Sequence, residues 1–264
     1  MGLFRFMISR SSLKWFFVIN FLNKRVLFSF FLVFVFDILY FLSKTNLIGV
    51  DTVAVLFYGC SDGNFVLIDM LFFLIFNLTP LYFSAVIFDS GNIKAQYVII
   101  RFRKKSEYYF VMETSFCIFL LIYFAVHFFS VVFYNTVFTN REVWFPIKSE
   151  ILYNVTQVHY GHIVTAAVSL RFFELVFVQK FFAVAHSFLG NLTIEFIAVL
   201  AGYFFSPLVK WNLYPFGLSS ISRFFLVADF FNIYIVITLL IFIVGSVILD
   251  FLMSKIGIKN LLEK

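Results

Sequence analysis

Residues 230–253 read FFNIYIVITLLIFIVGSVILDFLM and contain a single charged side chain, Asp250. An α-helix needs about 20 mostly apolar residues to cross the hydrocarbon core of a bilayer. This run is long enough to do so and has no charge before its last turn. The stretch therefore predicts a membrane-spanning helix.

The composition of the whole chain agrees with that prediction. Of the 264 residues, 62% are hydrophobic and only 13% are charged, and Phe alone occurs 44 times. A soluble fold of this size cannot bury so much apolar surface, because a large part of any domain of this length stays exposed. Soluble enzymes, nucleic-acid-binding proteins and disulfide-rich secreted domains are therefore excluded as classes. The fold class that we predict is an all-α polytopic membrane protein.

Five further apolar runs have a length near that of a membrane span. They cover residues 26–42, 66–88, 108–133, 163–189 and 194–209. The run 163–189 is interrupted by Arg171, Glu174 and Lys180, and the run 194–209 is short. No internal repeat and no Gly/Ser-rich or Pro-rich linker divides the chain. We therefore predict a single transmembrane domain, residues 1–264, with six transmembrane helices.

The distribution of Lys and Arg predicts the orientation of these spans. Residues 1–25, the loop 89–107 and the tail after the last span hold 13 basic residues, whereas the alternate loops hold five. Positive charges accumulate on the cytoplasmic side of membrane proteins, so we expect both termini and the loop 89–107 in the cytoplasm. Residues 1–25 predict either a helix lying in the cytoplasmic interface or a simple positive-inside signal.

Motifs for catalysis and for cofactor binding are missing from the sequence. The chain has no G-x-x-x-x-G-K-[ST] loop for a nucleotide, no H-E-x-x-H and no G-x-S-x-G. His159 and His162 have a spacing that would allow a shared metal, but no Asp, Glu or Cys lies near enough in sequence to complete a site. We therefore predict no catalytic residue, no metal site and no cofactor bound by this chain.

Polar side chains inside the predicted spans are the stronger functional signal. An ionisable group in hydrocarbon costs a few kcal/mol unless it is paired or faces water. Arg171 and Glu174 are one turn apart, so they predict either a pair within their own helix or the lining of a polar interface. Asp69 and Asn77 fall on nearly the same face of the second span, which indicates that this face is buried in protein. The candidate intramembrane residues are Asp37, Asp69, Asn77, Arg171 and Glu174.

The loop 89–107 has the pattern of a short surface helix. Asp89 and Gly91 follow the second span directly, and an acidic residue suits the start of a helix. Ile93, Tyr97 and Ile100 then recur at i, i+4 and i+7, which predicts an apolar stripe that can dock in the groove of a partner. The basic end of this segment contains Arg101 and Arg103.

This arrangement resembles the type 2 ABC exporter permeases, in which a coupling helix lies between the second and third spans. Two other stretches are similar to the small permeases of bacteriocin and lantibiotic immunity. One is the transition 169–191, with Gln179 and Asn191, and the other is the aromatic and proline-containing loop 211–217, which we expect just outside the fifth span. The resemblance covers most of the chain in topology and about thirty residues in motif.

The resemblance implies a transport subunit of a bacterial plasma membrane that obtains its energy from ATP hydrolysis on a separate subunit. A separate ATPase subunit would bind ATP and dock on the coupling helix, and a second permease copy or a related permease would complete a dimer. Membrane lipid is the other expected partner, and nucleic acid is not. The implied substrate is a peptide or an amphipathic, lipid-like molecule. The residues leave two alternatives open, which are a membrane immunity or sensor protein without transport activity and a polytopic intramembrane enzyme.

Overall fold

The computed structural model describes residues 17, 24–43, 52–57, 59, 67–88, 105–139, 160–209, 214–226 and 230–257. This part of the chain is helical and contains no strand. Its helices are α1 (Lys24–Ser43), α2 (Thr52–Phe57), α3 (Leu67–Phe88), α4 (Lys105–Tyr134), α5 (Tyr160–Leu189), α6 (Leu192–Phe205), α7 (Ile221–Leu226) and α8 (Phe231–Leu252). Single π-helical turns, Asn135–Thr139 and Met253–Gly257, extend α4 and α8.

Five of these helices, α1, α3, α4, α5 and α8, are long and apolar enough to cross a membrane. They correspond to five of the six predicted spans, so the prediction of an all-α, multi-pass membrane protein is confirmed at this level. The predicted span 194–209 corresponds to α6, which has 14 residues and is therefore about 21 Å long. That is short of the roughly 30 Å of a bilayer core, so a sixth span is not confirmed.

Side-chain contacts fix the relative directions of the long helices. Phe30 stacks on Phe119 and Phe41 contacts Tyr134, so α1 and α4 run in the same direction. α3 runs against α4, because Phe76 contacts Tyr123 whereas Phe83, further along α3, contacts Phe119.

The direction of the helices alternates as far as α5, but α8 runs in the same direction as α5. α5 runs against α4, because Glu113 lies beside Lys180 whereas Phe124 lies beside Phe172. α5 and α8 run in the same direction, since Phe177 contacts Phe242 and Lys180 pairs with Asp250. The chain between α5 and α8 must therefore return toward the end of the bundle where α5 began.

Pro80 lies inside α3, where it would be expected to weaken the helix. A proline has no N–H, so the carbonyl of Phe76, four residues earlier, loses its helical donor. The hydroxyl of Tyr123 on α4 donates to this carbonyl over 3.0 Å. The helix continues through Pro80 to Phe88 because a neighbouring helix supplies the missing donor.

The core between the helices consists mainly of aromatic rings. Phe76 contacts Phe72, Tyr123, Phe124 and the imidazole of His127. Rings in tilted and edge-to-face arrangements fill this space without requiring small residues at the helix contacts. The abundance of Phe thus has a structural use in the packing of α1, α3, α4 and α5.

Candidate functional site

Arg171 occupies the middle of the bundle. It is the twelfth residue of α5, about 17 Å along the helix, and is only 2% exposed. Its Nη1 donates to Oδ1 of Asn77 over 2.6 Å, and its Nη2 donates to Oγ of Ser220 over 3.2 Å. The guanidinium also lies over the rings of Phe73 and Phe76, at 5.3 and 5.4 Å from their centroids. Acceptors and aromatic faces together reduce the cost of burying this charge.

Glu174, one turn further along α5, is fully buried and binds a different set of donors. Its Oε2 accepts from the backbone N–H of Ser219 over 3.1 Å and from the Ser219 hydroxyl. Its Oε1 accepts from the backbone N–H of Gly217. Arg171 and Glu174 therefore both reach out of α5 to the segment that follows α6. The polar interface that the sequence left open is, in this structure, an interface within the chain.

After α6, the described residues 206–209 and 214–220 do not form a regular helix, and several of their polar groups bind side chains. The Ser206 hydroxyl donates to the carbonyl of Phe216 over 2.7 Å, and Arg223 donates to the carbonyl of Ser206 over 2.7 Å. Tyr234 of α8 donates to the carbonyl of Leu218 over 3.0 Å. Buried backbone outside a helix is stable in a membrane protein only where such partners exist.

Gly217 allows the backbone of this segment to pack closely against Ser206. Its φ of +79° is favourable only for glycine, and a Cβ there would lie 2.5 Å from Oγ of Ser206. Residues 211–213 of the predicted outer loop lie outside the described residues. The remaining residues of that loop, 214–217, pack against α6, where the Tyr214 hydroxyl donates to the carbonyl of Gly202. We define the central cluster as Asn77, Arg171, Glu174, Ser206, Gly217, Ser219, Ser220 and Arg223.

Sequence reasoning found three members of the central cluster and missed the others. Asn77, Arg171 and Glu174 were predicted as intramembrane polar residues. Ser206, Ser219, Ser220 and Arg223 were not, although all four are buried. The run Gly217-Leu-Ser-Ser-Ile-Ser-Arg223 is unusually rich in small polar residues for this chain, and this was the available signal.

Asp37 and Asp69 lie apart from the central cluster. Oδ2 of Asp37 is 2.7 Å from Nδ1 of His127, so the pair joins α1 to α4, and both residues are 1% exposed. Asp69 accepts from the hydroxyl of Tyr40 over 2.9 Å. Asn77 contacts Arg171 of α5 and is fully buried, whereas Asp69, which contacts α1, is partly exposed.

A second group of charges lies beyond the central cluster, toward the C-terminal end of α5. Nζ of Lys180 is 2.6 Å from Oδ2 of Asp250 and 3.3 Å from Oε1 of Glu113. The Tyr109 hydroxyl donates to Asp250 over 3.3 Å. Two carboxylates therefore share one ammonium group at the junction of α4, α5 and α8. We call Glu113, Lys180 and Asp250 the ionic junction.

The hairpin between α5 and α6 is fixed by a local set of contacts. Asn191 caps α6, since its side chain accepts from the N–H groups of Thr193 and Ile194. Glu195 accepts from the backbone N–H of Asn191 over 3.0 Å and lies 2.8 Å from Nδ1 of His186. Asn191, in the predicted transition 169–191, is thus the N-cap of α6, which begins at Leu192.

The predicted coupling-helix residues lie outside the described residues. These are Asp89, Gly91, Ile93, Tyr97, Ile100, Arg101 and Arg103. Their role stays a prediction. Within the described residues, no group of three or more His, Cys, Asp or Glu is arranged to hold a metal ion.

Comparison with protein-family models, with curated proteins and with solved structures gives no match to this chain. The geometry of the bundle is therefore the basis for the functional proposal that follows.

Proposed function

We propose that this chain is the membrane-embedded permease subunit of a transporter. The observation that carries the proposal is the central cluster, in which two charged residues near the middle of one long helix hold an irregular segment. Interrupted helices with polar backbone near the middle of a bilayer are characteristic of transporter substrate sites, because regular helices leave no backbone group available. Burying Arg171 and Glu174 for packing alone would be costly, since apolar side chains would fill the same space.

The substrate we propose is a peptide or an amphipathic, lipid-like molecule. The segment after α6 places polar backbone and hydroxyl groups in a bundle whose other helices are mainly apolar. Phe205 and Leu208 are 50% and 61% exposed, so apolar surface adjoins the polar segment. A molecule with both polar and apolar parts suits such a boundary, because each part meets a matching surface.

We further propose that energy comes from a separate ATPase subunit that docks on the segment 89–104. The ends of α1, α4 and α8 that carry Lys24, Lys105 and Lys255 lie at one end of the bundle, as the helix directions require. Clustering of basic residues at this end supports a cytoplasmic location for it. α3 ends and α4 begins at this end, and the segment 89–107 between the two spans is the docking site that we propose for a cytoplasmic subunit.

A second copy of the permease, or a related permease, would complete the transporter. Residues along α8, among them Ile233, Leu240 and Val247, are 53% to 61% exposed, and this surface is apolar. Lipid or a second permease can cover this apolar surface without burying an unpaired polar group.

The experiment that tests the proposal starts from the native membrane. The chain is purified in mild detergent, its partners are identified by mass spectrometry, and the complex is reconstituted in liposomes. We expect an ATPase to copurify and to drive uptake of the peptides or lipids recovered with the complex. Uptake should fail in Arg171→Met while complex formation persists. A complex without an ATPase, or uptake that ignores this substitution, would contradict the proposal.

A further inference from the structure

The ionic junction contains more acidic side chains than basic ones. Lys180 supplies one ammonium group, whereas Glu113 and Asp250 supply two carboxyl groups. With both acids ionised, the junction carries a net negative charge. An unbalanced charge between packed helices is costly, because little water is present to solvate it. Binding one more positive charge would remove this cost.

The hydrogen bonds of the junction are divided unequally between its two acids. Nζ of Lys180 donates to Oδ1 and Oδ2 of Asp250 over 2.7 and 2.6 Å, and the Tyr109 hydroxyl donates to Oδ1 of Asp250 over 3.3 Å. Oε1 of Glu113 lies 3.3 Å from Nζ of Lys180, but this oxygen is buried and accepts no hydrogen bond from the described residues. Donors therefore support a negative charge on Asp250 more strongly than one on Glu113.

The exposure of the two acids differs in the same sense. The side chain of Glu113 is 17% exposed and that of Asp250 is 39% exposed. Asp250 lies two residues before the end of α8, and Lys255 follows in the π-helical turn. This is the end of the bundle that carries the basic residues, where charged groups meet water. Asp250 thus connects the more buried carboxyl group of Glu113 to the solvent.

The geometry points to Glu113 and Asp250 as a proton-binding site, in which Glu113 holds the proton. A hydronium ion gives its proton to the carboxylate of Glu113 and becomes water, and Glu113 becomes a neutral carboxylic acid. The two carboxyl groups are close enough for the new O–H group to donate to Asp250. Lys180 and Asp250 then remain as a balanced ion pair.

The other titratable groups near Glu113 do not balance the charge of the junction. Tyr109 and Cys117 lie one turn before and after Glu113 on α4, and their side chains are uncharged types at neutral pH. Lys255 is exposed and lies over the ring of Phe251, 5.7 Å from its centroid. The proton therefore supplies the missing positive charge. Its uptake removes the repulsion between two acids and strengthens the contact of α4 with α5 and α8.

The test is infrared spectroscopy of the purified chain in liposomes, which needs neither ATP nor a partner. A protonated carboxylic acid has a C=O stretching band that a carboxylate lacks. At pH 6 about 2% of free glutamate side chains are protonated, whereas we expect roughly half or more of the Glu113 side chains to be protonated. The corresponding band should be lost in Glu113→Gln. It should also be lost in Asp250→Asn, because Glu113 is then the one acid of the junction and stays ionised beside Lys180.

Glu195→Gln is the matched control. Glu195 is also buried, but it lies 2.8 Å from Nδ1 of His186 in the hairpin between α5 and α6, away from the ionic junction. Its substitution should leave the band in place.

Isotopic labelling identifies the residue that holds the proton. Cell-free synthesis with glutamate carrying ¹³C in its side-chain carboxyl group should move the band to lower frequency, whereas labelled aspartate should not move it. This measurement uses the unmodified chain, so it decides the question even if a variant is not recovered folded.

Thermal unfolding gives a second measurement. The folded chain binds a proton that the unfolded chain releases near neutral pH, so thermal stability should fall as the pH is raised from about 6 to about 8. The fall should be smaller in Glu113→Gln, which has no proton to lose at this position.

Three results would overturn the proton-binding site. They are the absence of the band from the unmodified chain at pH 6, a band that survives in Glu113→Gln, and a band that moves with labelled aspartate and not with labelled glutamate. None of these results depends on the proposed transport function, which fails separately if no ATPase copurifies with the chain.

Discussion

Lys180 and Asp250 form an ion pair, with Nζ 2.6 Å from Oδ2, between two long helices that run in the same direction. Adjacent helices joined by a short hairpin run in opposite directions. Because α5 and α8 run in the same direction, this pair can form only if the chain between them returns to the end of the bundle where α5 begins. The ion pair thus ties the end of α8 to α5 and depends on the path of the segment that contains the central cluster.

Removing Lys180 should destabilise the bundle. In Lys180→Met, Glu113 and Asp250 face each other without a cation, and we expect a loss of about 1–3 kcal/mol, reduced by the partial exposure of Asp250. Thermal unfolding in detergent measures this loss. The reversed pair, Lys180→Asp with Asp250→Lys, restores one cation between two acids and should regain most of the stability. Lys255→Met, an exposed lysine near the ring of Phe251, is the control and should be close to neutral.

Arg171 and Asn77 should be energetically coupled. The hydrogen bond between them is buried and one partner is charged, so each single substitution leaves the other group without its contact. A double-mutant cycle with Arg171→Met and Asn77→Ala should give a coupling free energy of about 1–3 kcal/mol. Arg171→Lys keeps the charge but not the two-pronged donor set that reaches both Asn77 and Ser220, so it should be less stable than the unmodified chain. Additive single effects would contradict this contact.

Glu174 should control the order of the segment 214–220. Glu174→Gln keeps the shape of the side chain but replaces an ionic acceptor, so the N–H groups of Gly217 and Ser219 lose a strong bond, about 1.5–3 kcal/mol for the charged acceptor. Hydrogen exchange in nanodiscs should accelerate in peptides covering 214–220 and stay unchanged in α8. Glu195→Gln is the matched control, because Glu195 acts on the start of α6 and should leave 214–220 unaffected.

The docking stripe in the loop 89–104 gives a test of the expected partner. Changing Tyr97 and Ile100 to Asp should release the ATPase while the permease stays in the membrane. Loss of two apolar anchors from an interface costs about 2 kcal/mol or more, which lowers affinity more than tenfold. Ala95→Asp adds the same charge on the opposite side of the expected helix and should leave the complex intact. Equal copurification of all variants would contradict the coupling-helix prediction.

The long helices were predictable because a helix that crosses the hydrocarbon core of a bilayer needs a long apolar run. A mostly apolar run of about 20 residues or more has few alternatives to a membrane helix, and α1, α3, α4, α5 and α8 all follow such runs. The predicted span 194–209 reaches four residues beyond α6, which ends at Phe205. Ser206 still has helical dihedral angles, and Pro207 after it has no N–H to continue the helical hydrogen bonds. The apolar residues Leu208 and Val209 lengthen the apolar run beyond the end of the helix.

The central cluster was only partly predictable, for a physical reason. An isolated charge in a span indicates that a partner must exist, and this argument identified Arg171 and Glu174. It does not say where the partner lies in the sequence. Ser219 is 45 residues from Glu174, and Ser220 is 49 residues from Arg171. A serine in a predicted outer loop can bind water, so the sequence gives no reason to expect a buried partner for it. Only the fold brings these residues together.

The most direct measurement of the proposed architecture is the sidedness of the chain around α6. Cys60 and Cys117 are first replaced by Ser, and single cysteines are placed at Asn191, in the hairpin before α6, and at Asn212, after it. A membrane-impermeant thiol reagent is then applied to whole cells. We expect Asn212→Cys to react and Asn191→Cys to react only after permeabilisation, because residues 190–230 return across the membrane. Reaction of both cysteines from the same side would show that this segment does not cross, and would contradict the proposed transport site.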